Sequence, residues 1–277
     1  MNTPICYYGG KTNMLNIIKP LIPHHKIYNE PFTGGGALFF SKASATVNVL
    51  NDKNAKLSAF YRAGRNTPKG LIKKCNATIF DENTYNEARN IYKSPKGEYS
   101  DLINAWAVFV GANMSYGGTL FRGSYVPSVN KIDKGNSAKT FHNKKINLEK
   151  NLKKLERSII YNRDALRVII KHDTKHTFHY IDPPYIEANQ GHYKGYSMDD
   201  FIQLIHTLKS CKGKFMLSCY LNNELELKLQ GQNWIIKKYP QTLRLNNGIK
   251  DVKSKKIECL VMNYEEINLF NQKNSTR

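Results

Sequence analysis

Short apolar runs bounded by polar turns recur along the chain and predict β-strands. They cover residues 26–29, 47–51, 158–161, 178–181, 215–219 and 257–263. Helical patterns lie between several of these runs; in residues 199–208 the apolar positions share one face, and Ser197 can cap the start. Strands that alternate with helices are typical of an α/β fold with a mostly parallel sheet and helices on both faces.

A different composition interrupts this alternation between residues 61 and 150. This region carries an apolar helical stretch at 105–110, a glycine-rich aromatic segment at 111–127 and a polar, lysine-dotted stretch at 128–145. We interpret residues 61–150 as a second, mainly helical domain inserted into the first. Residues 1–60 and 151–277 then form the two halves of the α/β domain.

The charge balance favours a polyanionic partner. Lys and Arg number 42 and Asp and Glu 22, which leaves a net charge of +20 over 277 residues. Nucleic acid is the simplest partner for such a chain. A generally basic protein without such a partner is the alternative. A membrane-surface protein is a weaker one, because no basic amphipathic helix stands out.

The cysteines and the N-terminus indicate a cytoplasmic protein. The five cysteines are widely spaced and form no Cys-x-x-Cys pair, which favours reduced thiols over disulfides or a zinc site. The first eight residues lack the pattern of a signal peptide. No apolar run approaches the roughly 20 residues needed to cross a bilayer.

The tetrapeptide Asp182-Pro183-Pro184-Tyr185 directly follows the strand predicted at 178–181. A carboxylate, two prolines and an aromatic ring therefore lie together at the carboxyl end of a strand, where open α/β sheets bind ligands. This combination suits the binding of a planar ring that carries an amine.

Three consecutive glycines, Gly34, Gly35 and Gly36, follow the strand predicted at 26–29. They allow a sharp turn and a close approach to a ligand, although the surrounding residues match neither a P-loop nor G-x-G-x-x-G. Asp52 ends the next predicted strand, where an acid can accept hydrogen bonds from ribose hydroxyls. A plain turn and a helix cap are the alternatives; the glycines and the acid together favour a nucleotide-like ligand.

Four motifs in a fixed order give the chain a resemblance to a known family. Tyr7-Tyr8-Gly9-Gly10-Lys11 is similar to the opening W-A-G-G-K motif of that family, and residues 30–36 (E-P-F-T-G-G-G) are similar to its E-P-F-x-G-x-G loop. Residues 51–54 (N-D-K-N) are similar to its D-x-N segment, and residues 182–185 match its catalytic motif. The chain resembles the Dam-like (alpha group, D12 class) DNA adenine-N6 methyltransferases, and its motifs follow the alpha-group order.

The resemblance implies a Rossmann-like class I methyltransferase fold and a target-recognition role for residues 61–150. It implies S-adenosyl-L-methionine as methyl donor, S-adenosyl-L-homocysteine as product and no metal. The residues that it places at the reacting amine are Asp182, Pro183, Pro184 and Tyr185. The residues that it places beside the cofactor are Tyr7, Lys11, Pro31, Phe32, Gly34, Gly36, Asp52, Asp164 and Asp182.

DNA contacts are expected from the insertion. The candidates are Asn113, Tyr116, Phe121, Arg122, Tyr125, Lys139, Lys144 and Lys145. We expect the lysines, together with Lys131, Lys134, Lys150, Lys153 and Lys154, to contact phosphates. The aromatic residues and Arg122 are candidates for reading bases or for filling the gap left by a flipped base. Residues 113–118 (N-M-S-Y-G-G) are only loosely similar to the family pattern, so its recognition sequence does not carry over.

These observations predict a site-specific enzyme that methylates N6 of a flipped-out adenine in double-stranded DNA. We expect a monomer at the nucleoid, in a restriction-modification, orphan or phage modification system, with a cognate restriction endonuclease as a further partner in the first case. The alternatives are an N4-cytosine DNA or RNA adenine methyltransferase and a non-catalytic basic nucleic-acid-binding protein. The histidines of residues 172–179 resemble a metal site, but that stretch leads into the catalytic strand, which favours a loop.

Overall fold

The computed structural model of the protein describes residues 3–125, 137–186, 196–220, 226–227, 229, 231–242 and 255–265. Its strands form one seven-stranded sheet in the order β3-β2-β1-β4-β5-β7-β6. The strands are β1 (Ile27–Glu30), β2 (Val47–Asn51), β3 (Ser158–Tyr161), β4 (Thr177–Ile181), β5 (Lys214–Tyr220), β6 (Ile235–Thr242) and β7 (Lys255–Met262). The α/β prediction and its six strands are confirmed, with ends that differ by at most two residues.

The first five strands run parallel, whereas β7 is antiparallel to both β5 and β6. All five residues of β4 are buried, as expected for the centre of a sheet that helices cover on both faces. The strand β6 was not predicted. It forms an edge of the sheet and contains Lys237, Lys238 and Pro240, residues that suit edge strands and weaken the apolar pattern of a strand.

Ten α-helices accompany the sheet in the described residues. They are α1 (Leu15–Ile18), α2 (Ala37–Ser41), α3 (Ala55–Asn66), α4 (Pro68–Asn76), α5 (Glu82–Lys93), α6 (Asp101–Met114), α7 (Ser137–Ile146), α8 (Leu148–Lys153), α9 (Ala165–His172) and α10 (Met198–Lys209). The predicted cap of α10 is confirmed as a capping box, in which Ser197 Oγ accepts a hydrogen bond from Asp200 N and the Asp200 carboxylate accepts one from Ser197 N.

The insertion between β2 and β3 is helical, and its centre is α6. Every residue of α6 from Asn104 to Met114 is buried, and the helix packs against α3 and α5. Helix α3 runs through the predicted boundary at residue 60, and the buried rings of Phe60 and Phe109 belong to the same apolar cluster as Tyr28 of β1. The division into two domains therefore stays a prediction. Lys131 and Lys134 lie outside the described residues.

None of the helices in the described part of the chain combines the length and the apolarity that a membrane span requires.

Candidate active site

The parallel strands bring three predicted motifs to one edge of the sheet. The glycine turn follows β1, Asp52 follows β2, and Asp182 follows β4. The side chain of Asn51, the last residue of β2, joins the neighbouring loops. Its Nδ2 donates to the carbonyl oxygens of Pro31 (2.9 Å) and Arg163 (3.1 Å), and its Oδ1 accepts from Arg163 N at 2.9 Å. The loops after β1 and β3 are thereby held in fixed positions.

Asp52 organises the glycine turn. Its Oδ2 accepts a hydrogen bond from Gly34 N at 2.9 Å, and its Oδ1 accepts one from Asn54 N at 2.8 Å. Burial raises the pKa of Asp52 to about 6, although the two backbone N–H groups favour the ionised carboxylate. Contact between Asp52 and a ribose stays a prediction.

Tyr7 packs directly on the glycine turn. A Cβ atom at Gly35 would lie 2.6 Å from Tyr7 Cβ, and one at Gly34 would lie 3.0 Å from Tyr7 Cε1. Gly34 also has a φ of +49°, so both the contact and the backbone favour glycine there. Tyr8 is exposed, so the ring that covers the turn is that of Tyr7. At the end of the turn, Gly36 adopts a φ of +64° and begins α2.

The tetrapeptide of residues 182–185 contacts the opening motif. Lys11 Nζ lies 2.8 Å from Asp182 Oδ1 and 4.6 Å from the centre of the Tyr185 ring. The Tyr185 hydroxyl lies 3.1 Å from the same Asp182 oxygen. Pro183 is buried and Pro184 half-buried, so the backbone between the acid and the ring is enclosed.

A second carboxylate completes this cluster and was missed by the sequence analysis. Glu258 lies on β7 and is 2 % exposed. Its Oε1 accepts hydrogen bonds from the Tyr185 hydroxyl (2.5 Å) and from Ser218 Oγ (2.6 Å). Burial raises the pKa of Glu258, and the ammonium of Lys11 opposes that rise. The sequence did contain a clue to Glu258, which is the single acid within the apolar run of 257–263. A carboxylate on a buried strand is costly unless it is paired, so an acid at this position indicates a partner nearby.

Two further features lie along the loop after β1. Glu30 accepts a hydrogen bond from the Tyr28 hydroxyl at 2.8 Å, and burial raises the pKa of Glu30 to about 8. The half-buried ring of Phe32 packs edge-on against Tyr196, with 6.2 Å between the ring centres. The buried Tyr196 hydroxyl has no hydrogen-bond partner among the described residues.

The comparisons with known proteins agree with this geometry. The family model described as D12 class N6 adenine-specific DNA methyltransferase matches residues 7–243. The chain belongs to this family.

Two relatives are similar over nearly their whole length. The type II methyltransferase M1.LlaDCHI of Lactococcus lactis subsp. cremoris is 28% identical over 92% of this chain and 93% of its own. The type II methyltransferase M.MjaIII of Methanocaldococcus jannaschii is 27% identical over 92% of this chain and 96% of its own. The DNA N-6-adenine-methyltransferase of Escherichia phage P1 is 38% identical over 36% of this chain and 13% of its own.

Asp164 of the methyltransferase is an exposed helix cap. It precedes α9, and its Oδ1 accepts a hydrogen bond from Arg167 N at 3.2 Å. The second oxygen of the carboxylate can still accept a hydrogen bond from a ligand, so contact with the cofactor adenine stays a prediction.

Three of the expected DNA contacts are buried and have partners within the fold. Asn113 is buried and accepts a hydrogen bond from Cys6 N at 3.1 Å. Phe121 is buried against Tyr85, with 5.0 Å between the ring centres. Lys144 is buried, and its Nζ donates to the carbonyl oxygen of Thr3 at 2.5 Å. Each side chain stabilises the interior of the methyltransferase instead of facing a duplex.

The other candidates in the insertion reach the surface to different extents. Tyr116 is 67% exposed, and Arg122 and Lys139 are also exposed. Tyr125 is half-buried against Phe80 and Tyr85, and Lys145 donates to the carbonyl oxygens of Asn76 and Thr78. Tyr116, Arg122 and Lys139 therefore remain the best placed of these candidates for a contact with DNA.

The insertion is attached to the opening motif at Gly118. The carbonyl oxygen of Gly118 accepts a hydrogen bond from Tyr8 N at 3.3 Å. A Cβ atom at Gly118, whose φ is +68°, would lie 2.9 Å from the carbonyl carbon of Cys6. The segment expected to read DNA is therefore in direct contact with the segment expected to bind the cofactor.

The histidines of residues 172–179 are split between α9, a loop and β4. Ligand atoms of Asp173, His179 and Cys211 lie within 4.8 Å of one another. The Asp173 carboxylate already pairs with His179 Nε2 at 3.2 Å and accepts hydrogen bonds from Lys212 N and Gly213 N. These contacts join α9, β4 and the loop before β5.

Proposed function

We propose that this methyltransferase transfers a methyl group to N6 of an adenine that is flipped out of double-stranded DNA within a short recognition sequence. The observation that carries the proposal is the position of Asp182, which lies beside Tyr185 and Lys11 at the carboxyl end of β4. An acceptor, an aromatic ring and a cation thus meet where the sheet edge also presents the glycine turn.

The residues at this edge fit S-adenosyl-L-methionine. The glycine turn lets the ring of Tyr7 pack closely on the backbone beside the site. The Lys11 ammonium offers a partner for the cofactor carboxylate. Asp52 suits the ribose hydroxyls, while the half-buried ring of Phe32, packed against Tyr196, offers an apolar wall. When bound, the cofactor supplies an electrophilic methyl group on a sulfonium sulfur.

The catalytic tetrapeptide suits the adenine amine. The lone pair of N6 is delocalised into the ring, so the enzyme must align the amine and alter its electronics. Asp182 accepts one N6 hydrogen and the carbonyl oxygen of Pro183 accepts the other, which directs the lone pair away from the ring plane. Pro183 has no N–H that would compete for these acceptors.

Tyr185 supplies the surface on which the flipped base stacks. Extrusion of a base from the duplex costs on the order of a few kcal/mol, and stacking on an aromatic ring returns part of that cost. We expect the insertion and nearby lysines to hold the phosphates on either side of the extruded base.

Mass spectrometry of methylated DNA tests the proposal. The purified chain, S-adenosyl-L-methionine and unmethylated DNA should yield N6-methyladenine in the digested nucleosides, and Asp182→Ala should yield none. Sequencing of genomic DNA from cells that express the protein would then identify the recognition site. A product of N4-methylcytosine would instead support a cytosine enzyme. Cofactor-independent DNA binding without methylation would support a non-catalytic binder.

The names of the relatives support a biological setting for this proposal. Two of them are named type II methyltransferases and one comes from a phage, which supports a restriction-modification or phage modification role. We propose a monomer that acts at the nucleoid in the cytoplasm, with a cognate restriction endonuclease where the chain serves restriction-modification.

A further inference from the structure

The hydroxyl group of Tyr185 lies between two carboxylates. It is 2.5 Å from Oε1 of Glu258 and 3.1 Å from Oδ1 of Asp182, and Ser218 Oγ also lies 3.1 Å from it. A phenolic hydroxyl carries one hydrogen, so it donates one strong hydrogen bond at a time. The shorter distance assigns that hydrogen to Glu258.

Glu258 is well placed to keep this hydrogen. Ser218 Oγ also donates to Oε1 of Glu258, at 2.6 Å, so two hydroxyl groups converge on one buried oxygen. The positions are set by strand pairing, because Glu258 of β7 is the direct partner of Tyr220 of β5. Lys11 Nζ lies 3.9 Å from the same oxygen and provides the compensating positive charge.

The oxygen of Asp182 that faces Tyr185 is the one that Lys11 contacts. If the Tyr185 hydroxyl turned towards this oxygen, it would occupy one of the acceptor positions that the adenine amine requires. The direction in which the Tyr185 hydrogen points therefore affects the reacting amine.

We propose that Glu258 is a positioning residue that takes the Tyr185 hydroxyl hydrogen and so leaves Asp182 as an acceptor for the adenine amine. The same hydrogen bond fixes the Tyr185 ring in the plane on which the base stacks. This inference rests on the proposed N6-adenine methyl transfer, in which Asp182 and Tyr185 contact the base.

Two substitutions separate the acceptor at position 258 from its bulk. Glu258→Gln keeps an oxygen that accepts the Tyr185 hydrogen, and Glu258→Met keeps a similar volume without a strong acceptor. In single-turnover methylation we expect Glu258→Gln to stay within about threefold of the wild-type rate. We expect Glu258→Met to lose about tenfold or more in rate, with little change in the KM for DNA.

The decisive measurement adds Tyr185→Phe to each background. Tyr185→Phe alone should slow the reaction. In the Glu258→Met background it should instead recover part of the lost rate, because it removes the hydroxyl that turned onto Asp182. In the Glu258→Gln background it should cost less than in the wild type, since a neutral acceptor holds the hydrogen more weakly. The comparison of Tyr185→Phe in the wild type and in Glu258→Gln does not need the Glu258→Met protein, so it tests the proposal even if that variant does not fold.

The outcomes separate this inference from the proposed function. A wild-type protein that makes no N6-methyladenine would overturn both. An active wild type in which Tyr185→Phe costs the same factor in all three backgrounds would overturn the positioning role of Glu258 alone. Thermal unfolding and calorimetric cofactor binding of each variant identify a merely structural loss, which Tyr185→Phe could not rescue.

Discussion

The ammonium of Lys11 lies 2.8 Å from Oδ1 of Asp182, so the opening motif of the chain directly contacts the catalytic carboxylate. The same ammonium lies above the Tyr185 ring and 3.9 Å from Glu258. One cation therefore lies near two carboxylates at the edge of the sheet, and its single positive charge offsets one of their two negative charges. The cofactor carboxylate, for which the resemblance also assigns Lys11, would join this cluster.

Replacement of Lys11 should affect both cofactor affinity and the pH profile. In Lys11→Met we expect the Kd for S-adenosyl-L-methionine to rise about tenfold or more, because a charge-assisted contact is lost. The acid side of the activity profile should move to higher pH, because burial then raises the pKa of Glu258 without opposition from the ammonium. Calorimetry and pH-dependent turnover measure the two effects. The exposed Lys53 provides the control, Lys53→Met, in which neither should change.

Removal of the Asp182 carboxylate should abolish the chemistry and spare DNA binding. In Asp182→Ala we expect methyl transfer to fall by about 10²-fold or more, because the lost interaction acts on the amine. Filter assays of labelled methyl transfer and gel shifts of DNA measure the two properties separately. Asp199→Ala, at an exposed position of α10, serves as the matched control. Full activity in Asp182→Ala would contradict the mechanism.

A methyl group at Gly118 should loosen the contact between the insertion and the opening motif. A Cβ atom there would meet the backbone of Cys6 and Tyr7, at 2.9 Å and 3.0 Å, whereas the nearest atom to a Cβ at Gly117 is 3.7 Å away. Both glycines have positive φ, so Gly117→Ala carries the same backbone strain of about 1 kcal/mol. We expect Gly118→Ala to lower the melting temperature and the cofactor affinity more than Gly117→Ala does. Equal effects would exclude a role for the contact.

The salt dependence of DNA binding should distinguish surface lysines from interior ones. The net charge of +20 predicts an affinity that falls steeply with salt. Lys139 is exposed, and we expect Lys139→Gln to reduce the slope of the logarithm of the DNA association constant against the logarithm of salt concentration by about 1. The buried Lys144, changed to Gln, should leave the slope unchanged and lower the melting temperature, because its hydrogen bond to Thr3 is lost. Fluorescence anisotropy at several salt concentrations measures both slopes.

Glu30 should make the stability of the protein depend on pH. Burial raises the pKa of Glu30 from 4.5 to about 8, so the folded state retains a proton that the unfolded state releases. The free energy of unfolding should therefore fall as pH rises from about 4.5 to about 8, by up to about 1.4 kcal/mol per pH unit. Glu30→Gln lacks this dependence and should gain stability relative to the wild type across that window. Denaturant unfolding of both proteins at several pH values tests this prediction. It would be contradicted if the free energies of unfolding of the wild type and of Glu30→Gln changed with pH in parallel.

The parallel core of the fold could be predicted from the sequence because its strands are apolar and end in conspicuous polar motifs. The strand β4, for example, is a buried run followed at once by Asp182. The edge strand β6 could not, since its lysines and Pro240 reflect one-sided exposure and not the apolar pattern of a central strand. The apolar pattern of a buried strand is visible in the local sequence. The pattern of an edge strand can be interpreted only once it is known which strand lies at the edge of the sheet.

The motifs predicted Lys11, Asp52 and Tyr185 as site residues, and the fold places Lys11 and Tyr185 beside Asp182, with Asp52 after the strand β2 at the same edge of the sheet. Their roles stay predictions. Glu258 lies 73 residues from Tyr185, and only the pairing of β5 with β7 brings it to the cluster. Asn113 and Phe121 had the composition of a binding loop, yet Asn113 lies in the buried end of α6, and Phe121, beyond that helix, is buried against Tyr85. Polar and aromatic residues in a glycine-rich segment serve packing and recognition equally well, so composition alone does not separate the two roles.

The contact of Gly118 with Cys6, Tyr7 and Tyr8 constrains how this enzyme can acquire a new target sequence. An exchange of the whole insertion with that of a relative would break the contact unless the N-terminal segment were exchanged with it. Substitutions at exposed positions such as Tyr116 and Arg122 leave the contact intact. Specificity in this lineage should therefore diversify by point changes on the surface of the insertion, or by recombination that carries the N-terminus along.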